Sequence, residues 1–586
     1  MNVSDFIIER LNNWQIERIF GYPGDGINGL LGAMNRNGSI EFIQTRHEEM
    51  AAFMACAHAK FTGNVGVCMA TSGPGAIHLL NGLYDAKLDH QPVVAIIGQQ
   101  KGTSLGSNYQ QEVDLQNLFK DVASAYVQMI AEPTQARQVI DRAMRIAKAE
   151  RTVTAVIIPS DIQEEKAVQQ PERKHGNVVT GMGHSKSHLL PAESELREAA
   201  EVLNSGNKVA ILVGAGAFGA EDEIIQVADV LGAGVAKALL GKAVLPDDLP
   251  FVTGSIGMLG TKASWEMMDN CDTLLMIGSS FPYSEYLPEP GKARGVQIDI
   301  DGKMLSLRYP MEVNLLGTSK DTLKALIPLL NRKPDRNWRN KIEQDIEDWW
   351  QTVEERANQP AEPINPQLVI QRLSPLLPSN TILTADSGTS AFWYARNIKI
   401  KRGMMASLSG NLATMCPSVP YAVAAKFAHP ERPVVAITGD GAMQMLGMNE
   451  LITISKYYKQ WSSPFLLIIV LNNRDLNMVT WEQRMLAGEP KFEASQNIPD
   501  VNYAAFAKML NLHGVRIDSP EQIDAALADV LSSDRPTVLD VVCDGNVPII
   551  PPHIELATLT KFSKAMLKGD PESFDVMRQV IRQAMQ

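Results

Sequence analysis

The sequence predicts an α/β protein made of three doubly wound parallel-sheet domains, and three observations carry that prediction. Apolar runs of strand length alternate with helical segments in three separate blocks. Two polar stretches, at about 160–190 and 335–363, interrupt the alternation and read as linkers. The length of 586 residues is too great for one core and fits about three or four domains. The composition, 45% apolar and 20% charged, is ordinary for a globular chain. A net charge of -12 argues against a nucleic-acid partner. No run approaches transmembrane length, and the acidic start MNVSDFIIERLNNWQI reads as a first helix. Five scattered cysteines (Cys56, Cys68, Cys271, Cys416 and Cys543) suggest neither zinc nor a disulfide framework, which makes a cytoplasmic location the default.

In the first block, residues 1–165, strands are expected at 18–21, 41–45, 65–71, 92–98 and 153–159. The strand IEFIQT ends at Arg46-His47, and Glu48 opens a helix whose Ala51, Ala52, Ala55, Ala57 and Ala59 allow close packing. A carboxylate at the head of such a helix is poorly solvated and suited to proton transfer. The plainer alternative is that Glu48 and Glu49 complement the helix dipole.

The second block, residues 190–330, repeats the alternation. Its strand 209–213 runs into Gly214-Ala-Gly216-Ala-Phe-Gly219, a GxGxxG before the helix 222–231. The next strand ends near Lys237, without the acid that a dinucleotide ribose needs, so NAD binding is not expected. Further glycine turns and strand ends follow at 257–261, 278–286 and 296–301.

In the third block, residues 364–548, the run 434–437 stops at Gly439-Asp440-Gly441, and a second run, 465–471, stops at Asn472-Asn473. In a parallel sheet both ends lie on the carboxyl edge, where ligands bind. Asp440 and Asn473 offer hard oxygens suited to Mg²⁺ on a diphosphate, and the glycines leave backbone N–H groups approachable. An ordinary strand, turn and helix with a polar rim is the alternative. Residues 549–586 form a tail with two short amphipathic helices, in which Leu556, Leu559, Phe562 and Met566, then Phe574, Met577, Val580, Ile581 and Ala584, recur at helical spacing beside Lys561, Lys564 and Lys568.

The paired GDG and NN motifs resemble the Mg²⁺ and diphosphate site of thiamine diphosphate enzymes. RHE with its small-residue helix, TSGPG at 71–75 and NGLYDA at 81–86 resemble that family's pyrimidine-binding domain. The resemblance implies three domains: pyrimidine-binding (1–165), FAD-binding in type (190–330) and diphosphate-binding (364–548). It implies Asp440, Asn473 and the Asp475 carbonyl as metal ligands. Gly388, Thr389, Ser390, Gly441, Ala442, Leu476, Met478 and Val479 then lie at the cofactor with Ala413, Thr414 and Met415, the last wedged between its rings. Glu48 matches the glutamate that bonds the pyrimidine ring, and Glu49 has no matching role. Gly257, Met258, Leu259, Gly260, Ser280, Phe281, Pro282, Tyr283 and Asp299 match flavin-binding positions of pyruvate oxidases and acetolactate synthases.

Within the family the chain is most similar to quinone-reducing pyruvate oxidases. That likeness implies oxidative decarboxylation of pyruvate or a close 2-oxo acid to acetate and CO₂ through a thiamine enamine, with electrons passing through FAD to a quinone. It places Glu48, His78, Gln111 and Glu482 about the reacting carbon. The alternatives are an acetolactate synthase-like carboligase, with structural or absent FAD, and a silent binding relative. Three departures stand out: extra length near 457–464, Gln110 in place of a phenylalanine, and Met478 in place of an aromatic. The resemblance also implies at least a dimer, a homodimer or homotetramer, with sites shared between subunits. The tail is either packed on the body or docked reversibly on the inner face of a membrane.

Overall fold

The computed structural model describes residues 1–185 and 188–584; Lys186 and Ser187 of the polar linker and the side chain of Ala584 lie outside the described residues. Among the described residues eighteen strands form three six-stranded sheets in which every neighbouring pair is parallel. The first sheet holds β1 (Arg18–Gly21), β2 (Glu41–Gln44), β3 (Gly66–Ala70), β4 (Val93–Gln99), β5 (Val127–Met129) and β6 (Val153–Pro159), in the order β2-β1-β3-β4-β6-β5. The central sheet holds β7 (Val209–Val213), β8 (Gly234–Lys237), β9 (Val252–Ser255), β10 (Thr273–Ile277), β11 (Arg294–Asp299) and β12 (Val313–Leu316), ordered β12-β11-β10-β7-β8-β9. The third holds β13 (Ile382–Ala385), β14 (Met405–Ser407), β15 (Val434–Gly439), β16 (Leu466–Asn472), β17 (His513–Ile517) and β18 (Thr537–Val542), ordered β14-β13-β15-β16-β18-β17. The outer two sheets therefore share one topology. The central sheet follows the dinucleotide-fold order instead, with its switch point between β7 and β10.

Each sheet is buried on both faces, which is why its inner strands read as continuous apolar runs. In β4, Val94 and Ile96 enter one core while Ala95 and Ile97 enter another. In β16, Leu467 and Ile469 face one core and Ile468 and Val470 the other. One core is common to the first and third domains. It forms where the helix Glu48–Thr62 meets the helix Ser418–Ala428: alanines face each other, and Cys56 Sγ lies 3.3 Å from the Tyr421 hydroxyl. Charge is buried with them, since Lys60 Nζ donates to Asp89 at 2.7 Å, and Asp89 also accepts from Gly410 N and Asn411 N.

Two local features differ from expectation. Strand β5 was not foreseen, because VQM is three residues long and only half-buried. The first linker begins later than its polarity suggested: Ser160–Glu164 is helical, Gln163 Nε2 donates to Gly26 O at 2.7 Å, and Lys166 bridges to Asn2. The extra length near 457–464 buries Trp461 against Phe427, while Tyr457 Oη accepts from Gln44 N at 2.9 Å and ties the third domain to the end of β2.

The tail forms helices Leu556–Leu567 and Ser573–Ala584. Its expected apolar stripe splits: Phe562, Met566 and Val580 pack inward, whereas Leu556 and Phe574 stand 80% and 77% exposed. Arg484 clamps the tail, because its guanidinium, with a fully buried side chain, donates two bonds of 2.9 Å to Asp570 and one of 2.8 Å to Glu572. No helix among the described residues is long and apolar enough to cross a membrane.

Candidate active site

Parallel pairing of β15 and β16 brings Gly439 beside Leu471 and so delivers the GDG and NN turns to the same edge. Asp440 is 2% exposed there. Its carboxylate accepts from Gly441 N at 2.9 Å and from Arg474 N, and among the described residues no cationic side chain pairs with it. Burial pushes its pKa up to about 7. Asn473 Oδ1 accepts from Asp475 N at 3.1 Å. The Asp475 carboxylate is already held by Thr480 Oγ1 (3.0 Å), Asn477 Nδ2 (3.0 Å) and Lys491 Nζ (3.3 Å), so only the carbonyl of that residue remains as a ligand. A bridge to Asn497 runs through Leu476 N and Arg474 O and does not engage that carbonyl. A buried carboxylate lacking a counter-cation, an amide oxygen and a carbonyl are a donor set that fits Mg²⁺.

Facing this edge, Gly388 adopts φ +92° and caps the helix Thr389–Asn397, in which Ser390 Oγ donates to the Asp386 carbonyl at 3.1 Å. Met478 lies near Gly388, and Leu476 and Met415 close over Gly441, where an added Cβ would lie 2.7 Å from Leu476 and 3.3 Å from Met415. Ala413 (φ +52°) and Cys416 (φ +83°) bend the backbone on either side of Thr414 and Met415. Left-handed residues other than glycine cost about 1–3 kcal/mol each and gather at functional sites. Arg474 (φ +58°) and Gln111 (φ +61°) are two more.

Asp386 was missed by sequence reasoning, although it stands at a strand end just as Asp440 does. Its carboxylate accepts from Cys416 N (2.8 Å), Ser387 N (3.0 Å) and Ser418 Oγ (2.9 Å), pinning the bent segment. Burial raises its pKa to about 6. Wide π-helical turns at Met443–Gly447 and Gln483–Ala487 follow Ala442 and Glu482, and such turns recur at functional sites. Glu482 is half-buried, and burial raises its pKa; Val479 is exposed, and Trp481 turns away to stack on Phe562 of the tail.

In the first domain His47 caps the helix through Nδ1, which accepts from Glu49 N at 3.2 Å. Glu48 is 8% exposed, and its Oε2 lies 2.9 Å from His78 Nδ1; the rings of His78 and His47 stack at 4.4 Å. Burial, then the neighbouring His78, lowers the His47 pKa. Gln111 packs against Gly73, with Oε1 buried and unpaired among the described residues, while Gln110 is exposed. Glu49 behaves unlike a free helix acid: Asn81 Nδ2 donates to it at 2.6 Å and to Thr414 Oγ1 at 3.0 Å, joining the two domains. Within one chain it is thus Asn81, held by Glu49, that bonds Thr414 of the third domain.

In the central domain the GxGxxG glycines serve packing. A Cβ at Gly214 would lie 2.4 Å from Gly278 O, and one at Gly216 would lie 2.8 Å from Gly278 Cα. The following helix opens with Glu221, Asp222 and Glu223, which repel phosphate. Lys237 is fully buried against Asp247 at 2.6 Å. Gly257 (φ +97°) turns beneath the Phe281 ring, and Gly260 N closes that turn onto Gly257 O. Met258 and Leu259 pack toward the third domain and give their carbonyls to Arg396. Phe281 is buried against an exposed Tyr283; Ser280 and Pro282 flank it, and Asp299 is buried at the end of β11. The exposed aromatic, the positive-φ glycine turn and the buried acid at a strand end fit a flat ring and a ribose.

Three parallel sheets, with a metal-type turn in one outer domain and a buried glutamate in the other, define a cofactor-dependent α/β enzyme class. The chain belongs to the thiamine pyrophosphate enzymes, whose N-terminal TPP binding, central and C-terminal TPP binding domains match residues 1–118, 196–326 and 386–541. Among its relatives is YdaP of Bacillus subtilis (strain 168), described as thiamine pyrophosphate-containing, 36% identical over 562 residues covering 96% of this chain and 95% of the other. The acetolactate synthase isozyme 2 large subunit of Escherichia coli (strain K12) is 30% identical over 569 residues, covering 94% and 98%. The pyruvate oxidase of Lactiplantibacillus plantarum is 27% identical over 560 residues, covering 94% and 90%.

Proposed function

We propose that the enzyme oxidatively decarboxylates pyruvate, or a close 2-oxo acid, to acetate and CO₂, with electrons leaving through FAD to a quinone. Asp440, Asn473 and the Asp475 carbonyl would hold Mg²⁺; the Gly388 turn would meet the diphosphate, while the Gly441 N–H orients the Asp440 carboxylate. Bound thiamine diphosphate supplies the electron sink for decarboxylation. Glu48 would exchange a proton with the bound pyrimidine, and His78, 2.9 Å from Oε2, holds that carboxylate in place. Met415 and Leu476, closing over Gly441, exclude water from the cofactor. Gly257, Tyr283 and Asp299 would receive FAD.

The observation that supports the oxidase reading is the pairing of His78 with Glu48 in the first domain; Glu482, whose pKa burial raises, lies in the third domain and would join them where two subunits meet. Two ionisable groups beside the reacting carbon suit water or a small oxyanion; a second keto acid needs an apolar wall. Carboligation is the second reading, favoured by the acetolactate synthase relative at 30% identity. Purified enzyme given pyruvate without oxygen is expected to bleach its flavin, reduce a dye and release acetate. Glu482→Ala should slow this by about a hundredfold with little change in cofactor affinity. Acetolactate as the main product, with no dye reduction, would replace the oxidase by the synthase.

Membrane contact through the tail belongs to the same reading. The exposed Leu556, Leu567 and Phe574 provide an apolar face, and the Arg484–Asp570 pair holds it on the body. Asp570→Ala removes two of the three bonds that the buried guanidinium makes and leaves Glu572 as its remaining counter-ion, which costs about 1.5–3 kcal/mol. The variant is expected to lower the melting temperature and to increase cosedimentation with liposomes. Unchanged sedimentation, with the tail newly open to protease, would remove the membrane reading.

A further inference from the structure

We infer that a monatomic anion of chloride's size binds in the seam between the long helix Asn337–Ala357, the third domain and the start of the tail. A cavity of about 10 Å³ lies there, lined by Trp349, Arg356, Gln367 and Arg396, with Ile550 and Gln583 supplied by the tail. That is room for one water-sized body, so chloride, somewhat larger than water, enters with a slight outward shift of the lining side chains. Two arginines face the seam and no carboxylate lines it. Arg396 donates only to carbonyls, those of Ile550 (2.6 Å), Met258 (2.7 Å) and Leu259 (3.3 Å). Among the described residues the Arg356 guanidinium makes no hydrogen bond or ion pair, and its Nε is buried. Trp349 Nε1 and Gln367 Nε2 are likewise buried donors without an acceptor.

Three buried orphan N–H groups belong to residues that line one small space, and the two arginines there have no carboxylate partner: Arg396 is held by carbonyls alone, and the half-buried Arg356 lies over the Trp349 ring. A water molecule accepts only two hydrogen bonds well and brings two protons that need acceptors of their own. A halide accepts from every donor and supplies the missing negative charge. Burial, followed by the charge of Arg356, lowers the Arg396 pKa to about 9, the direction expected of a cation short of a counter-ion. A tetrahedral oxyanion does not fit without a larger movement of the side chains. Because the tail contributes Ile550 and Gln583, an anion here would fasten the tail to the body and stabilise the whole chain by mass action.

The test is thermal melting of the full-length holoenzyme at constant ionic strength, with chloride replaced stepwise by gluconate, together with anomalous diffraction from crystals grown in bromide. The expected result is a saturable, chloride-specific rise in melting temperature of about 2 °C or more, lost in Arg356→Gln. A bromide peak between Arg356 and Arg396 should accompany it. Equal responses to chloride and gluconate, or crystals with water but no bromide in the seam, would overturn the proposal. The bromide experiment uses the unaltered protein and so stands even if Arg356→Gln does not fold.

Discussion

Glu48→Gln is expected to reduce turnover by at least about a hundredfold while the affinity for thiamine diphosphate stays within about threefold. Glu48 is nearly buried at the head of a small-residue helix, and its contact is His78. Gln preserves its shape and removes only the proton it can exchange. Glu49→Gln should retain most activity, because a glutamine oxygen still accepts from Asn81 and keeps the Asn81–Thr414 link. The two neighbours also report on subunit sharing. Coexpressed Glu48→Gln and Asp440→Asn chains, each inactive alone, are expected to regain about a quarter of wild-type activity when the site combines the first domain of one chain with the third domain of another. In random mixing about half the dimers are mixed, and each mixed dimer has one intact site of two. If Glu48 served the third domain of its own chain, no mixture would recover. Kinetic assays and cofactor titration of the three preparations decide it.

How much of this was legible in the sequence follows from what kind of information each feature carries. Sheets with both faces buried leave apolar runs, so β3, β4, β15 and β16 could be read directly. Strand order leaves no such trace. Nothing in the runs themselves says that the central sheet is ordered differently from its neighbours. The GDG and NN turns were legible because strand ends and glycine are local signals. The role of Asp386 was not, because its partners Cys416 and Ser418 lie some thirty residues on and meet it only in the fold. The left-handed Ala413, Cys416 and Arg474 are invisible for a related reason: strain is imposed by surroundings that a linear pattern does not contain. Glu49 was misjudged as a bystander because Asn81 and Thr414 had no visible connection to it. The tail's stripe was visible but not its partner, and helical spacing cannot say which of Leu556 and Phe562 faces the body.

Asp440→Asn is expected to weaken Mg²⁺-dependent cofactor binding by at least about a hundredfold and to erase a pH dependence of the cofactor-free protein. In an unfolded chain this carboxyl ionises near pH 4. In the fold, burial holds the proton on until about pH 7. Between those values the native state binds more protons than the unfolded one, so the stability that Asp440 contributes is present in full below pH 4. It falls as pH rises through the window and is lost above about pH 7. The cofactor-free protein should therefore melt earlier at pH 8 than at pH 5 by an increment that Asp440→Asn removes, whatever constant offset the altered hydrogen bonds leave. Mg²⁺ reverses the sign, since it supplies the charge that the buried carboxylate lacks. Below about pH 7 the cation competes with a proton, and its apparent affinity should rise about tenfold per pH unit before levelling off. Melting curves at pH 5 and 8, with and without Mg²⁺ and thiamine diphosphate, test both halves. A variant that keeps the wild-type pH slope would show that the titrating group is another, Asp386 first, since burial raises its pKa to about 6 at the same sheet edge. A variant that loses the slope yet still binds Mg²⁺ tightly would place the cation elsewhere than the turn after β15.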